Sequence, residues 1–358
     1  MHFYLYTIYM FENFFIYILG TIPLIVVNKH FEVPKVFVFL LLGFLLGVFW
    51  IYKYIISRTK ISFQKKDYWY LCWLGVLTIA SIFAYDPKIS FLGGSYRHEG
   101  LIFFLTLFLI GKTVSYLSNK KKLHLKKVIT ATILIESLIV ILQFLTGNLY
   151  FGKPLGTVGE ASAVAGFLTL GTYFLMETFP KMWSLIISIP IVLTFSRSGV
   201  LSYVTFLFIS LFRRVKPLFF VPLVILSIYY FTFLHSIKTP SIFENRPVFW
   251  KMGIESFLQK PILGYGLESQ EKIYEDSFKR YEIKLENLII DRSHNLFLDV
   301  GLWSGSVGLI FFMGWLFWEY KGLITQNKKA AFFAFLVYSF FQPLSIVHWT
   351  LLIVLFNI

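Results

Sequence analysis

Charged residues, cysteine and metal-binding spacings are all scarce in this chain of 358 residues. Only 15% of the residues are charged, and the single cysteine, Cys72, lies within an apolar run. One cysteine allows neither a disulfide framework nor a cysteine-based metal site. The seven histidines are scattered, and no pair has the His-x-x-x-His spacing of a helical metal site. We therefore expect no resident metal ion and no cofactor.

Apolar residues make up most of the chain instead, with 57% of the residues hydrophobic and 20% aromatic, gathered in long runs. A helix that crosses a bilayer needs about 20 mostly apolar residues, because backbone polar groups cannot stay unpaired in hydrocarbon. The runs predict an all-α polytopic membrane protein with about twelve transmembrane helices, the last two short for a bilayer. The predicted spans are residues 11–27, 34–55, 68–84, 101–117, 128–146, 161–178, 182–195, 199–212, 218–234, 296–318, 330–341 and 344–356.

A long polar interval separates the ninth and tenth predicted spans. It divides the chain into about nine N-terminal helices in residues 1–235, a loop in residues 236–293 and about three C-terminal helices in residues 294–358. All three parts are expected to form one integral membrane domain.

Lysine and arginine collect in alternate loops, after the second, fourth, eighth and tenth predicted spans. Short cytoplasmic loops carry the positive excess in membrane proteins. This pattern predicts that both termini are cytoplasmic and that the loop at 236–293 faces the outside. Much of the net charge of +14 is then a topology signal, so we do not expect binding to nucleic acid.

Two segments of the outward loop have apolar residues at helical spacing. Trp250, Ile254 and Phe257 share one face of the first segment, while Tyr274 and Phe278 begin a similar series in the second. Both segments are typical of amphipathic helices that lie on a membrane or pack against a transmembrane bundle.

The outward turns carry arginines, although the positive-inside rule disfavours them there. Arg97, Arg197, Arg246 and Arg292 all fall on the predicted outer side, and Arg246 begins the first amphipathic helix, whose N-terminus favours anions. For Arg97 or Arg197 taken alone, contact with lipid headgroups is an equally good explanation. Together they predict a binding site for a phosphorylated ligand.

The stretch DRSHN at residues 291–295 stands at the outer start of the tenth span. Ser293 is a plausible N-cap, which would put His294 and Asn295 in the first helical turn. Histidine titrates near neutral pH and can accept a proton from a hydroxyl, so His294 is the predicted general base. Asn295 is predicted to orient the substrate or the imidazole.

Several segments resemble, in order, the O-antigen ligase and polymerase family, from about residue 90 to the end of the chain. The segments are LGGSYRHEGL at 92–101, GTVG at 156–159, LTFSRSG at 193–199, RPVFW at 246–250, PILGYG at 261–266 and SHN at 293–295, followed by Gly301 and Gly305.

The resemblance implies a glycosyltransferase of class C type in the bacterial cytoplasmic (inner) membrane, with its active site facing the periplasm. Members transfer a glycan from undecaprenyl pyrophosphate to a lipid or glycan acceptor. The residue that matches His294 is regarded as the catalytic base, and those that match Arg197 and Arg246 as ligands of the pyrophosphate. Arg97 and Arg292 are added here as further pyrophosphate ligands. Expected partners are this donor, the acceptor and membrane lipids.

Three alternatives stay open at this point. Ligases and polymerases share these motifs, so the acceptor is not readable from them. Relatives tend to carry Asn after the Gly-Thr-x-Gly turn, where this chain has Glu160 and Ser162, and a sugar-binding role of that turn is in doubt. A transporter or flippase is the alternative of another class, because Glu136, Gln143 and Asp299 are polar residues within predicted spans.

Overall fold

The computed structural model describes residues 2–27, 30–57, 61–94, 96–180, 182–211, 246–281 and 290–358. Within these ranges the chain is helical and contains no strand, as the sequence predicts. The helices are α1 (His2–Thr21), α2 (Glu32–Ser57), α3 (Lys65–Ile82), α4 (Pro87–Leu92), α5 (Leu101–Tyr116), α6 (Asn119–Thr146), α7 (Ala161–Thr178), α8 (Trp183–Ile186), α9 (Ser188–Leu193), α10 (Arg197–Leu211), α11 (Arg246–Gln259), α12 (Gln270–Arg280), α13 (Leu296–Gly322), α14 (Gln326–Phe341) and α15 (Ile346–Asn357).

Three of the described helices, α2, α6 and α13, are long and apolar enough to cross a membrane. Shorter apolar helices accompany them, among them α5, α10 and α15. These helices agree with a membrane protein, while the number of twelve spans stays a prediction. The ninth predicted span, residues 218–234, lies outside the described residues.

The predicted seventh span, residues 182–195, is not one continuous helix in the structure. It consists of the short helices α8 and α9, which pack against α7 and meet at Ile187. A run of 11 helical residues would extend about 17 Å, roughly half the thickness of the hydrocarbon layer. Hydropathy predicts that this run is buried in an apolar medium, but it does not predict where the helix breaks.

Helix α7 is the centre of the bundle, in contact with α6, α9, α10, α14 and α15. Glycines let its neighbours approach closely: a Cβ atom on Gly166 would lie 2.4 Å from the ring of Tyr338, and one on Gly171 would lie 2.7 Å from Ile133. Small residues serve this purpose at helix interfaces in membranes. The packing fixes the N-terminus of α7, which carries part of the candidate site.

The lysines that follow even-numbered spans meet at one end of the bundle, called here the basic end. Lys66 lies 3.0 Å from Glu319, Lys126 lies 2.9 Å from Glu177, and Lys328 donates to the last residue of the chain. The loops that carry Arg97, Arg197, Arg246 and Arg292 lie at the other end, called the site end. The structure thus separates the two sets of charges along the bundle, and the membrane side that each faces stays a prediction.

Helix α13 is kinked at Gly305, which has φ +63°, and the turn at residues 261–266 fills the kink. In an unbroken helix, the N–H groups of Ser306 and Val307 would bond to the carbonyls of Leu302 and Trp303. Here those N–H groups donate to residues 261 and 262 at 2.7 and 3.3 Å, and the two carbonyls accept from residues 265 and 266 at 2.7 and 3.0 Å. The turn satisfies the backbone groups that the kink releases, as an apolar environment requires.

The Gly-Thr-Val-Gly turn at 156–159 is held by polar groups from within the bundle. The Glu136 carboxylate accepts from the backbone and hydroxyl of Thr157, and Gln143 pairs with both backbone groups of Gly156. Lys35, which is fully buried, donates to the carbonyl of Thr157 at 2.7 Å. The polar residues of α6 therefore have a structural task, which is to place the segment that leads into α7.

Candidate active site

A cavity of about 530 Å³ opens at the site end and brings together three of the predicted site residues: His294, Arg197 and Arg246. Arg97, Arg292 and Asn295 do not line it. The remaining lining residues are Tyr150, Phe151, Lys153, Leu155, Glu160, Ala161, Ser162, Thr194, Phe195, Ser196, Ser198 and Gln342.

Helix N-termini converge on this cavity. The hydroxyl of Ser196 accepts from the N–H of Gly199 at 3.2 Å and so caps α10, whose first residue is Arg197. Glu160 stands immediately before α7, and the described part of α11 starts at Arg246. The N-terminus of a helix carries partial positive charge and free N–H groups, so those of α7 and α10 together favour an anion here.

His294 lies on the turn before α13 and has a left-handed backbone, with φ 56°. Its buried Nδ1 atom has no hydrogen-bond partner among the described residues. Burial, together with the Arg246 guanidinium, lowers the pKa of His294 below its usual value. The imidazole is therefore neutral near pH 7, and a lone pair is available to accept a proton.

The prediction that Ser293 caps the tenth span is wrong. Asn295 is the N-cap of α13, and its Oδ1 atom accepts from the N–H groups of Phe297 and Leu298 at 3.0 and 3.1 Å. Ser293 instead donates its backbone N–H and its hydroxyl to Asp299, at 2.8 and 2.7 Å. Consequently His294 precedes the helix, and the orienting role of Asn295 stays a prediction.

Arg292 is enclosed in a polar network behind the cavity, with 2% of its surface exposed. It donates to Glu99 at 2.9 Å and to Glu268 at 2.8 Å, and its guanidinium lies 5.1 Å from the ring centre of Trp303. Burial raises the pKa of Glu99 to about 7, although Arg292 lowers it. The network joins the loop at 93–100 to the segments on both sides of α12, and so supports the turn that carries His294.

Arg97 is also buried and paired with a carboxylate. It forms an ion pair with Asp291 and donates to the carbonyl of Leu344 at 3.2 Å. Burial alone would raise the pKa of Asp291, but Arg97 and Arg292 lower it below its usual value. Arg97 and Arg292, the two further pyrophosphate ligands predicted from the sequence, are thus both paired with carboxylates in this structure. Their role in binding the donor stays a prediction.

Several lining residues were not predicted from the sequence. Lys153 adds a cation, Gln342 adds an amide from the turn between α14 and α15, and Glu160 is hydrogen-bonded to the hydroxyl of Ser162. The only signal for Glu160 was that it departs from the family pattern. Nothing in a single sequence shows that the turn at 342–345 lies beside residues 194–198.

A metal site needs several ligating side chains close together. No group of three or more His, Cys, Asp or Glu residues in the described ranges is arranged to hold a metal ion. That glycan transfer needs no metal ion stays a prediction from the sequence.

Part of the chain matches a known protein family. Residues 182–313 match the family model described as O-antigen ligase, a segment that includes Arg197, Arg246 and His294. No curated protein matches the chain. Lys153, Glu160 and Gln342 line the same cavity but lie outside the matched segment. The match at residues 182–313 supports the O-antigen ligase family, which the sequence motifs resemble.

Proposed function

We propose that the protein transfers a glycan from undecaprenyl pyrophosphate to an acceptor hydroxyl at the periplasmic face of the bacterial inner membrane. The observation that carries this proposal is the convergence of Arg197, Arg246 and His294 on one cavity. The family match supports activity of the O-antigen ligase or polymerase type in general.

Arg197 and Arg246 bind the pyrophosphate in this proposal. The planar guanidinium offers paired N–H donors that fit phosphate oxygens, and the N-termini of α7 and α10 add to the positive field. When the glycosidic bond breaks, negative charge develops on the pyrophosphate oxygen. The same cations stabilise that charge without a metal.

His294 is the general base. The acceptor hydroxyl gives its proton to the neutral imidazole as its oxygen attacks the anomeric carbon of the donor sugar. The bond from that carbon to the pyrophosphate oxygen breaks with inversion, undecaprenyl pyrophosphate leaves, and the proton passes from His294 to solvent. The lowered pKa, which keeps the imidazole neutral, suits this role.

The acceptor distinguishes a ligase from a polymerase, and both remain within the proposal. The transporter alternative rested on Glu136, Gln143 and Asp299. These residues hold the 156–159 turn and the 293–295 turn through hydrogen bonds, which accounts for them without a transport pathway. A transferase releases free undecaprenyl pyrophosphate, whereas a transporter moves its substrate with the linkage intact.

Purified protein with a labelled lipid-linked donor tests the base. His294→Ala is expected to lower the transfer rate by about 10²- to 10⁴-fold, because proton removal is lost from the transition state. His124→Ala is the matched control, since His124 lies on α6 near the basic end. Transfer by His294→Ala at the wild-type rate would show that another group removes the proton.

The donor site has its own test. Arg246→Lys keeps the charge but loses the paired donors, so donor affinity is expected to fall. Arg280→Lys, an exposed site on α12, serves as the control. Unchanged donor affinity in Arg246→Lys would rule out bidentate binding of phosphate at this position.

A further inference from the structure

The cavity is lined by an unusual set of backbone conformations. Among the described residues, only five other than glycine have positive φ, and three of them, Phe151, Phe195 and His294, line this cavity. A bulky residue rarely adopts this conformation, because its Cβ atom crowds the backbone. Such strain persists where the surroundings impose it, and it clusters at functional sites. The two phenylalanines have no place in the mechanism described so far.

Phe151 occupies a turn position that suits a different residue. Tyr150 and Lys153 exchange backbone hydrogen bonds of 2.9 and 3.1 Å, so residues 151 and 152 are the centre of a two-residue turn. Phe151 has φ 48° and Gly152 has φ 74°, the signs that a type I′ turn requires. Asn followed by Gly is preferred there, yet this chain places Phe first, with 87% of its surface exposed. Neither the turn type nor burial accounts for the ring.

Phe195 also lines the cavity, between α9 and the capped start of α10. Its φ is 53°, 56% of its surface is exposed, and it lies two residues before Arg197. Its ring is 6.3 Å from that of Phe144, near the end of α6. An exposed apolar ring is thus held next to a guanidinium that faces the cavity.

Apolar surface continues from Phe195 along two helices that pack together. Leu142 and Leu145 are exposed near the end of α6, and Ile189 and Val192 are exposed on one side of α9. Hydrogen-bonding groups of the lining include Glu160 and Ser162 at the start of α7, Gln342 in the turn after α14, and Thr194, Ser196 and Ser198 on the segment that carries Phe195. The cavity therefore offers hydrogen-bonding groups on several segments, and at Phe195 it meets the apolar surface of α6 and α9.

We propose that Phe151 and Phe195 bind the first isoprene units of a polyprenyl pyrophosphate whose phosphates contact Arg197. This rests on the proposed function and adds to it the place of the lipid chain. A donor of this kind carries a sugar on one side of its pyrophosphate and a hydrocarbon chain on the other. The hydrocarbon needs apolar contacts directly beside the cations, which Phe195 supplies, whereas a sugar needs hydrogen-bonding partners, which the two phenylalanines lack.

Binding measurements on the full chain in lipid nanodiscs test the proposal, with farnesyl pyrophosphate, undecaprenyl pyrophosphate and inorganic pyrophosphate as the probes. Phe151→Gly and Phe195→Gly are each expected to weaken both prenyl pyrophosphates by about tenfold, the loss expected for one apolar ring contact. Affinity for inorganic pyrophosphate is expected to stay the same.

Glycine is the informative replacement, because it adopts positive φ without strain. The melting temperature of each variant is therefore expected to stay equal or rise while prenyl binding falls, a combination that a purely structural role does not produce. Phe44→Ala is the matched control. Phe44 is 69% exposed on α2 but does not line the cavity, so its loss should leave all three affinities unchanged.

Three outcomes would overturn the proposal. Unchanged prenyl affinity would mean that the rings only face bulk lipid. An equal loss for inorganic pyrophosphate would mean that they shape the phosphate site alone, and a change confined to the KM for the acceptor would place the acceptor there. A different outcome would contradict the proposed function alone. In that case prenyl pyrophosphates would bind with the expected pattern, but the wild-type protein would transfer no glycan.

Discussion

His294 and Arg246 share the cavity, and the charge of one acts on the other. The Arg246 guanidinium and burial both disfavour the protonated imidazole, so the pKa of His294 is lowered. The base is then active over the pH range above that lowered pKa and is lost as the pH falls through it.

Removal of the Arg246 charge should therefore move the pH dependence of transfer. In Arg246→Met the pKa of His294 is expected to rise, so the acidic limb of the pH–rate profile shifts to higher pH. The measurement is the residual transfer rate at saturating donor across the pH range, with Arg280→Met as the control. An unmoved acidic limb would show that the two residues are not coupled.

Arg292, unlike Arg246, is expected to stabilise the fold through its buried ion pairs. Arg292→Met is expected to destabilise the protein by about 3–5 kcal/mol, because Glu99 and Glu268 stay buried without their cation. The double variant Arg292→Met/Glu268→Gln should lose less than the single one, since one unpaired charge is removed with its partner. Thermal unfolding in detergent measures both. A stable Arg292→Met that loses donor affinity would instead support the pyrophosphate-binding role predicted from the sequence.

At the residue scale, sequence reasoning found His294, Arg197 and Arg246 because each lies at the start of a helix on the same predicted side. Only the family resemblance separated Arg197 and Arg246 from Arg97 and Arg292. In the structure Arg97 and Arg292 pair with carboxylates that are distant in the chain, such as Glu99, which is 193 residues from Arg292. A single sequence contains no information on such pairings.

The kink in α13 is an element whose geometry depends on glycine. Gly305→Ala would place a Cβ atom 2.1 Å from the carbonyl oxygen of Ile262, at a positive φ that alanine disfavours. A loss of at least about 1–3 kcal/mol is expected from the strain alone. Gly322→Ala on the same helix is the control, because nothing lies within 4 Å of its added atom. Equal melting temperatures for the two variants would contradict the account of the kink.

The turn at 156–159 allows a test of whether Glu136 has a structural role or belongs to a proton pathway. Glu136→Gln keeps an oxygen that accepts from the N–H of Thr157, whereas Glu136→Leu removes it. If Glu136 only holds the turn, glycan transfer should survive better in the Gln variant than in the Leu variant. A proton pathway would make the two variants equally inactive, because neither side chain titrates.

Element boundaries were predictable only in part. Apolar runs predict α2, α5, α7 and α10 closely and the end of α6, because length and hydropathy determine whether a helix suits a bilayer; the basic first turns of α6 lie before the predicted span. The break between α8 and α9 and the kink at Gly305 were not predicted. Both depend on neighbouring segments, and for the kink that neighbour is a turn about 40 residues earlier in the chain.

At the scale of the whole molecule, the lysines of the basic end and the arginines of the site end lie at opposite ends of the bundle. The positive-inside rule then predicts one fixed orientation in the membrane. In a variant with Cys72→Ser, Lys153→Cys at the site end should react with a membrane-impermeant maleimide added to intact spheroplasts. Lys120→Cys at the basic end should react only after permeabilisation, because positive loops stay in the cytoplasm. Both lysines are exposed, so access to each is decided by the membrane. The reverse pattern would invert the topology.

The insertion of residues 261–266 into the kink of α13 also bears on how the protein is made. The turn is synthesised before the helix, so its backbone groups have no partners until Leu302 to Val307 have left the ribosome. Helix α13 in turn cannot bury its kink until the turn has reached the same end of the bundle. The site that contains His294 can therefore form only after these two segments have met. A chain that ends before residue 307 would lack the complete set of backbone bonds and so the finished site.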